Sequence, residues 1–471
     1  MRNLTKIFFK LNFWILLLIA AQVAAIIFLC LYIPAFMPLA FALFLVWLLA
    51  AASATLLFAR DGTPEIKCVW FVVIASVPVA GALVYLISSA KPKPHAILKV
   101  KDCVTDGISA AAHASCGTCR ASYSRAAYFT NGAEFWNSAI PAIKGAKSRV
   151  YVEFYIFGSG HLFNSVFDAL KQAKDNGAEI KLIFDGLGSA FKFSKRDLKK
   201  LKSIAEVKIF HKLTPIPHAK LNLRDHRKII AIDGKIAYTG GINLADEYIN
   251  LRSPFGYWKD SGVAVYGEAA KIFEGMFLSM WLGTYEMPAP AFESGEKACL
   301  PYYDSPHYRA FCEDAMVNAI CAAEKRVHIF TPYFCVSEKT AAALAFTARR
   351  GVEIKVIIPH NPDKKYAFAV TKAFAYKMKV YGIEFYEYTP GFMHAKGVIC
   401  DDKVFLGSYN FDFRSTRFNY ECGVAFEGGV CAEVERDFQN CLALSSELKE
   451  GKPSRAKRFA RFLLRFFAPL V

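Results

Sequence analysis

One polar signature occurs twice in this chain, and the duplication constrains the fold more than any other feature. The pattern is His-x-Lys-x4-Asp, followed by a small-residue turn and Asn. Three fixed residues recur by chance in a long chain, but two copies with the same trailing turn indicate a true repeat. The copies are His226, Lys228, Asp233 and Asn243 in the first half, and His394, Lys396, Asp401 and Asn410 in the second.

The sequence around each signature repeats as well. Each half contains two strand-like segments separated by a stretch whose apolar residues recur three and four apart, which predicts a helix. This order predicts an α/β fold: two pseudo-symmetric α/β sandwich lobes with mixed or parallel sheets, sharing one cleft. The repeated segments are 146–157, 163–176 and 177–184 in the first half, and 323–334, 337–350 and 351–358 in the second.

The spacing within each signature suits phosphate chemistry. His and Lys two positions apart point to the same side of a strand, so both can reach one phosphate. Histidine can attack phosphorus or transfer a proton near neutral pH, and lysine offers a positive charge to phosphate oxygens. Two histidines suit a two-step displacement, in which one forms a phosphoryl adduct and the other protonates the departing alcohol. The glycines before Asn243 and Asn410 predict a tight turn whose backbone approaches an anion.

A third match to His-x-Lys-x4-Asp begins at His218, directly upstream of His226. Its interior, residues 221–224, is polar and interrupted, whereas residues 229–232 are apolar, as a buried strand requires. This periodicity favours His226 over His218 as the catalytic residue.

Apolar residues make up 54% of the chain and concentrate at its N-terminus. No charged residue occurs from Leu11 through Ala59. We expect a transmembrane helical region over residues 1–92, with spans at about 13–32, 39–58 and 69–87. A cleaved signal peptide needs only one short apolar region and fits this pattern poorly. The basic residues flanking the spans are too evenly divided to fix which membrane face carries the remaining chain.

A second membrane signal lies at the C-terminus. The chain carries 58 Lys and Arg against 41 Asp and Glu, and residues 451–471 interleave basic residues with Phe and Leu. Such a basic amphipathic tail is typical of the surface of an anionic bilayer. A solvated tail and a helix docked on its own domain are the alternatives, and nucleic acid would attract the same charge. The aromatic and leucine density favours lipid.

The 13 cysteines are scattered, and their odd number leaves at least one unpaired. Cys116 and Cys119 form a Cys-x-x-Cys motif that could be a metal or redox site, but no second pair completes it. We therefore interpret residues 93–135 as a linker.

The paired signatures resemble the HKD motifs of the phospholipase D superfamily, and the wider pattern resembles the bacterial cardiolipin synthases. The resemblance covers the chain except for about residues 100–133. It implies two phospholipase D-like lobes, at 136–300 and 301–450, that share one cleft. The matching stretches are residues 153–157, 185–189, 221–228, 257–260, 331–334, 388–396 and 462–470, together with the apolar N-terminus.

The reaction implied by this resemblance is phosphatidyl transfer by a multi-pass protein of a bacterial cell membrane. One phosphatidylglycerol donates its phosphatidyl group to a histidine and releases glycerol. The hydroxyl of a second phosphatidylglycerol then attacks, which gives cardiolipin. The resemblance implies no metal, nucleotide or other cofactor and no nucleic-acid partner, and it leaves the oligomeric state open.

The resemblance also implies a role for each residue. His226 would be the nucleophile and His394 the general acid and then base, although the two could be exchanged. Asp233 and Asp401 belong to the catalytic motif, but they stand at strand ends and could anchor a turn instead. The remaining roles are phosphate binding by Lys228, Lys396, Asn243 and Asn410, and orientation of the histidines by Asp260 and Glu421, for which a structural salt bridge is the alternative. The second half departs from the pattern at Ser408, where the first half has Gly241.

Two rival functions would use the same residues. A phospholipase D-type hydrolase would accept water instead of a lipid alcohol, and the difference lies in how well the cleft excludes water. A membrane-anchored nuclease is the more distant rival, because the expected spans and the lipid-seeking tail count against it.

Overall fold

Two sheets with the same strand order carry the two halves of the repeat. The computed structural model describes residues 24, 28, 39–59, 64–89, 96–101, 117–118, 120–212, 222–291, 297–306, 311–449 and 454–470. The described residues divide into two compact units. The first falls within Met1–Pro92, Leu213–Asn222 and Phe466–Val471, and the second within Lys93–Lys212 and Leu223–Arg465.

All described strands belong to the second unit. They are β1 Ile97–Lys101, β2 Gly117–Thr118, β3 Ala121–Ser122, β4 Arg125–Phe129, β5 Arg149–Phe154, β6 Glu179–Asp185, β7 Glu206–Phe210, β8 Arg224–Asp225, β9 Lys228–Ile232, β10 Ile236–Gly240, β11 Tyr257–Lys259, β12 Gly262–Tyr266, β13 Thr284–Pro288, β14 Ala298–Asp304, β15 Arg326–Phe330, β16 Glu353–Pro359, β17 Glu384–Tyr388, β18 Gly391–Met393, β19 Gly397–Cys400, β20 Lys403–Gly407, β21 Asn419–Glu427 and β22 Ser445–Glu447.

The order of the first sheet is β4-β12-β10-β9-β5-β6-β7, and the second contains the corresponding run β14-β21-β20-β19-β15-β16-β17. In both runs the last three strands are parallel to one another and the other neighbours are antiparallel. The mixed α/β sheet predicted from the order of elements is therefore confirmed, and the repeat is visible in the topology.

The described α-helices are distributed over both units. They are α1 Leu39–Ala59, α2 Pro64–Ser76, α3 Pro78–Ser89, α4 Gly132–Lys144, α5 His161–Asp175, α6 Lys195–Lys202, α7 Ala269–Leu282, α8 Phe311–Ala322, α9 Glu338–Arg349, α10 Lys365–Met378, α11 Phe413–Arg417, α12 Cys431–Ala443 and α13 Arg455–Phe467. The two helices predicted from periodicity correspond to α5 and α9. The hydroxyl of Ser337 begins α9 by accepting the backbone N–H of Thr340 at 3.1 Å.

Strand β9, which follows the first histidine, is buried on both faces. Ile229 and Ala231 join an apolar core to which both halves of the repeat contribute. Ile230 and Ile232 point the other way, into the core beneath α4 and α5. Burial on both sides explains why this strand reads as an uninterrupted apolar run rather than as an alternating one.

Short parallel strand pairs connect the two halves next to the signatures. Strand β8 of the first half pairs with β21 of the second, and β11 pairs with β18. The two halves are thus joined by backbone hydrogen bonds as well as by the shared core.

Part of the segment interpreted as a linker is integrated into this unit. Strand β1 pairs with β13, and β4 is the edge strand of the first sheet. These strands have only five residues each, too few for a clear periodic signal, and their partners lie far along the chain. Cys116 and Cys119 lie outside the described residues.

In the first unit, α1, α2 and α3 share a small core that includes Leu57, Ile74 and Tyr85. The predicted span at 39–58 coincides with α1, and the span at 69–87 is divided between α2 and α3 because Pro78 offers no backbone N–H. The span at 13–32 lies outside the described residues, except for positions 24 and 28. Across the described ranges, no helix has the combined length and apolar character that a bilayer crossing requires.

Candidate active site

The backbone between the halves places both histidines. The N–H of His226 donates to the carbonyl of Tyr420 at 3.0 Å, and the N–H of His394 donates to the carbonyl of Lys259 at 2.6 Å. Each acceptor immediately precedes an acidic residue, Glu421 or Asp260. The same inter-half bond therefore brings each histidine beside a carboxylate of the other half.

The carboxylates complete this crossed arrangement. Glu421 lies 2.9 Å from Nδ1 of His226, and Asp260 lies 2.6 Å from Nδ1 of His394. Both carboxylates are fully buried, whereas the side chains of His226 and His394 keep 11% and 9% exposure. A carboxylate on Nδ1 fixes the tautomer and turns Nε2 towards the substrate side. The crossing could not be read from the sequence, because it depends on how the two halves pair.

The two lysines lie beside the histidines of their own motifs. Lys228 Nζ donates to the carbonyl of His226 at 2.5 Å, and Lys396 Nζ donates to the carbonyl of His394. Lys396 Nζ also lies 3.2 Å from Nε2 of His394. Within the described residues, Nε2 of His226 has no hydrogen-bond partner, which is the main difference between the two motifs.

Burial dominates the protonation of the imidazoles. Burial, with the nearby lysines acting in the same direction, lowers the pKa of His226 to about 4 and that of His394 to about 3. Glu421 and Asp260 oppose this effect without overcoming it. Both histidines are therefore neutral at pH 7. A bound phosphodiester anion would favour protonation of whichever imidazole donates to the leaving group.

Burial also lowers the pKa of both lysines. The pKa of Lys228 falls to about 8 and that of Lys396 to about 7, while the nearby carboxylates, Glu421 and Asp260, act to raise them. Burial raises the pKa of Asp260, but Lys396 and His394 bring it below its usual value, so this carboxyl is ionised. The cleft thus gathers two neutral bases and two cations whose charge can be lost near physiological pH.

Aromatic rings line the two histidines unequally. Tyr155 contacts His226 edge-on, with ring centroids 5.1 Å apart. His394 is surrounded by Tyr248, Trp258 and Phe392, at 5.4, 4.9 and 5.6 Å. Sequence reasoning did not select these rings. A signal was present for Trp258, which stands two residues before Asp260 and donates its indole N–H to that carboxylate at 3.4 Å.

The motif aspartates lie at the other end of the signature strands. Asp233 accepts the backbone N–H groups of residues 147–149 at 2.8–2.9 Å. Asp401 does the same for residues 324–326. Both adopt positive φ values of 54°. A whole strand separates each carboxylate from its histidine, and this placement fits the turn-anchoring alternative.

The asparagines are buried beside the cleft. Asn243 accepts the N–H of Ile156 at 3.1 Å and donates to the hydroxyl of Tyr248 at 2.7 Å. Asn410 is 5% exposed, and its Oδ1 has no hydrogen-bond partner within the described residues. The amide of Asn243 is therefore engaged within the protein and retains only one N–H for a ligand.

The small-residue turns serve close packing between strands. A Cβ at Gly240 would come 2.5 Å from the carbonyl of Ser261, and one at Gly241 would come 2.1 Å from Oδ1 of Asp260. The neighbouring strand and the carboxylate of Asp260 therefore leave no room for a side chain at either glycine. In the second half, the hydroxyl of Ser408 donates to Glu421 and accepts the N–H of Cys422 at 3.0 Å.

A buried charge network supports the segment that carries His226. Asp185 accepts the backbone N–H of Asp225 at 3.0 Å and pairs with Arg224 at 3.2 Å. Asp225 and Glu153 lie together in the core. Burial raises the pKa of Asp225 to about 7 and that of Glu153 well above its usual value, so the pair retains a proton at neutral pH.

No group of three or more His, Cys, Asp or Glu side chains is arranged as a metal site among the residues that the structure describes. The competing motif at His218 lies outside those residues.

The geometry is suited to phosphodiester transfer. Two neutral imidazoles present Nε2 atoms, one lysine accompanies each of them, and a carboxylate behind each ring can stabilise an imidazolium. Lys396 also lowers the pKa of His226, and Lys228 also lowers that of His394, as expected of motifs that lie near one another.

Known proteins share this architecture. The model of the family described as "Cardiolipin synthase, PLD-like domain" matches residues 139–281 and 316–442. Cardiolipin synthase 1 of Bacillus anthracis is 29% identical over 88% of this chain and 91% of its own. Probable cardiolipin synthase YwiE of Bacillus subtilis (strain 168) is 31% identical over 70% of each chain. The crystal structure of a phosphatidylserine synthase from Haemophilus influenzae Rd KW20 superposes with a TM-score of 0.57 at 15% identity, covering 74% of this chain and 95% of that one.

Two such lobes around one paired His–Lys site define an enzyme of the phospholipase D-like class. Within that class, this chain belongs to the cardiolipin synthase family.

Proposed function

We propose that this enzyme condenses two phosphatidylglycerol molecules into cardiolipin and glycerol. The crossed pairing of His226 with Glu421 and of His394 with Asp260 carries the proposal, because it supplies a nucleophile and a proton carrier at one phosphodiester. The names of the relatives, cardiolipin synthases over most of the chain, support this substrate class.

In the first step, Nε2 of His226 attacks phosphorus and a P–N bond forms. The P–O bond to the glycerol headgroup breaks. His394, protonated on Nε2 when the phosphodiester anion is bound, gives that proton to the departing oxygen. We assign the nucleophile to His226 because its Nε2 has no partner within the described residues, whereas Lys396 lies beside Nε2 of His394. If His394 were the nucleophile and His226 the proton donor, bonds of the same kind would form and break.

In the second step, the primary hydroxyl of another phosphatidylglycerol gives its proton to His394. Its oxygen attacks phosphorus, the P–N bond breaks and cardiolipin is released. Lys228, Lys396, Asn410 and the remaining N–H of Asn243 neutralise the phosphate oxygens during both displacements. Asp260 and Glu421 orient the imidazoles and stabilise their protonated forms.

Membrane attachment follows from the substrate, which is a lipid. The uncharged run from Leu11 through Ala59 supports a multi-pass anchor within residues 1–92, and the basic α13 supports contact with anionic lipid. We infer that the chain is an integral protein of a bacterial cell membrane.

Incubation of the purified full chain with phosphatidylglycerol in mixed micelles, followed by lipid mass spectrometry, tests the proposal. Cardiolipin and glycerol are expected in equal amounts. Phosphatidic acid as the dominant product would instead identify a hydrolase, which accepts water at the second step. Degradation of single-stranded DNA without any lipid product would identify a nuclease.

A further inference from the structure

A groove of about 800 Å³ lies between α13 and α10 in the second unit. None of its lining residues belongs to the signatures or to their carboxylate partners. Its walls bring together five basic side chains from two helices that are far apart in sequence: Lys377, Arg455, Arg458, Arg461 and Arg465.

Two of these arginines hold α13 against the lobe. The guanidinium of Arg461 lies 3.9 Å from the ring centroid of Tyr376, a cation–π contact. Arg465 donates to the carbonyl of Ala373 at 3.5 Å. These contacts give the groove a defined wall on each side, rather than leaving α13 as a solvated tail.

The groove has a strong excess of positive charge. Lys377 pairs with Glu338 at 2.9 Å, and Glu338 is 64% exposed. Arg455 and Arg458 form no ion pair with a carboxylate of the described residues. Several cationic groups converging on one concave surface attract an anion.

Large apolar side chains stand exposed around these charges. Phe459 is 62% exposed, Phe462 51% and Val380 83%. Aromatic side chains exposed among arginines are unfavourable in water, but they are typical of helices that lie in the headgroup region of a bilayer. The combination excludes a purely ionic partner, because such a partner would leave the apolar area uncovered.

We propose that this groove binds the phosphodiester headgroup of an anionic phospholipid, outside the catalytic cleft. Lys377, Arg455 and Arg458 would contact the phosphate oxygens, while Phe459 and Phe462 enter the acyl region. The site deepens the proposed membrane attachment: it holds the catalytic unit at the lipid surface through a specific lipid rather than through diffuse charge. It does not depend on which reaction the cleft performs.

The test uses the full chain carrying His226→Ala, so that bound lipid is not converted. Native mass spectrometry in a neutral detergent measures retention of phosphatidylglycerol and of phosphatidylcholine with the same acyl chains. The groove variant is Lys377→Gln/Arg455→Gln/Arg458→Gln. Its control, Lys195→Gln/Lys199→Gln/Lys202→Gln, removes three charges from α6, which lies outside the groove. Thermal unfolding of each variant verifies folding.

Lipid copies per chain are counted, because the cleft also binds phosphatidylglycerol under the proposed function. We expect the phosphatidylglycerol bound beyond the copies held by the cleft to fall roughly tenfold in the groove variant, with no change for phosphatidylcholine or in the control. The exposed pair Phe459→Ser/Phe462→Ser is expected to weaken retention as well. Equal phosphatidylglycerol retention in parent, groove and control variants would overturn the proposal. Retention of inorganic phosphate or an RNA oligonucleotide as strongly as of lipid would also overturn it. Either failure leaves the catalytic proposal intact, because the assay does not measure turnover.

Discussion

The carboxylate of Glu421 lies 2.9 Å from Nδ1 of His226, although the two residues belong to opposite halves of the repeat. Asp260 and His394 make the reciprocal pair at 2.6 Å. The downstream acid of each half therefore serves the histidine of the other half, and the cleft is complete only when the halves are joined.

This crossing predicts a pattern of coupling. Glu421→Gln should lower kcat roughly 10²–10⁴-fold, because the amide no longer fixes the tautomer of His226. In a double-mutant cycle, the effects of Glu421→Gln and His226→Gln on the unfolding free energy should differ from additivity by about 0.5–3 kcal/mol. The effects of Glu421→Gln and His394→Gln should be close to additive. Thermal or denaturant unfolding of the single and double variants measures both terms. Coupling of Glu421 with His394 but not with His226 would mean that each carboxylate pairs with the histidine of its own half.

Each histidine should be indispensable. His226→Ala and His394→Ala should each reduce cardiolipin formation by at least roughly 10³-fold, since one removes the covalent step and the other the proton transfer. Membrane insertion should remain unchanged, because both side chains lie in the catalytic unit. Quantification of cardiolipin by mass spectrometry is the measurement. Turnover within tenfold of the parent in either variant would contradict the two-histidine scheme.

The lysines should set the alkaline limit of activity. As pH rises through the pKa of Lys396, about 7, and of Lys228, about 8, each loses the charge that binds phosphate. We expect kcat/KM to be high below this window and to fall as pH rises through it. Lys396→Arg keeps its charge at all these pH values. The fall in kcat/KM should therefore move to higher pH, with Lys228 as the remaining titrating group. A fall in kcat/KM at the same pH in this variant would show that another group causes it.

Alanine should have a larger effect on kcat at Gly241 than at Ser408, the equivalent position of the second turn. Gly241→Ala places a Cβ 2.1 Å from Oδ1 of Asp260, so it should displace this carboxylate and lower kcat severely, by roughly 10²-fold or more. Ser408→Ala removes one hydroxyl from Glu421 and should cost about tenfold. Steady-state kinetics at saturating lipid compare the two. A milder effect at Gly241 than at Ser408 would show that the carboxylate tolerates the shift.

The motif aspartates should affect stability rather than chemistry. Asp401→Asn weakens three backbone hydrogen bonds at a turn with positive φ, so it should lower the unfolding free energy by about 1–3 kcal/mol. Asparagine tolerates the left-handed backbone, so the fold should persist. The kcat of the folded fraction should stay within a few-fold of the parent. A loss of kcat in Asp401→Asn comparable to that in His394→Ala would support a catalytic role for Asp401.

Local patterns predicted local structure here. Apolar residues three and four apart predicted α5 and α9, and the apolar run after His226 predicted strand β9. Strand β4 was missed because its partner β12 lies more than a hundred residues away, and a strand of five residues has little periodicity of its own. The aromatic surroundings of His394 were missed for a related reason. Tyr248 and Trp258 contact His394 from the other half, where β11 pairs with β18.

The parallel bridges β8–β21 and β11–β18 have an evolutionary consequence. A single ancestral half would carry a histidine without its carboxylate, and could gain one only from a second copy related by a twofold axis. A chain that contains both copies makes that association permanent and independent of protein concentration. It also removes the symmetry that would keep the two imidazoles equivalent, so the surroundings of His226 and His394 can differ.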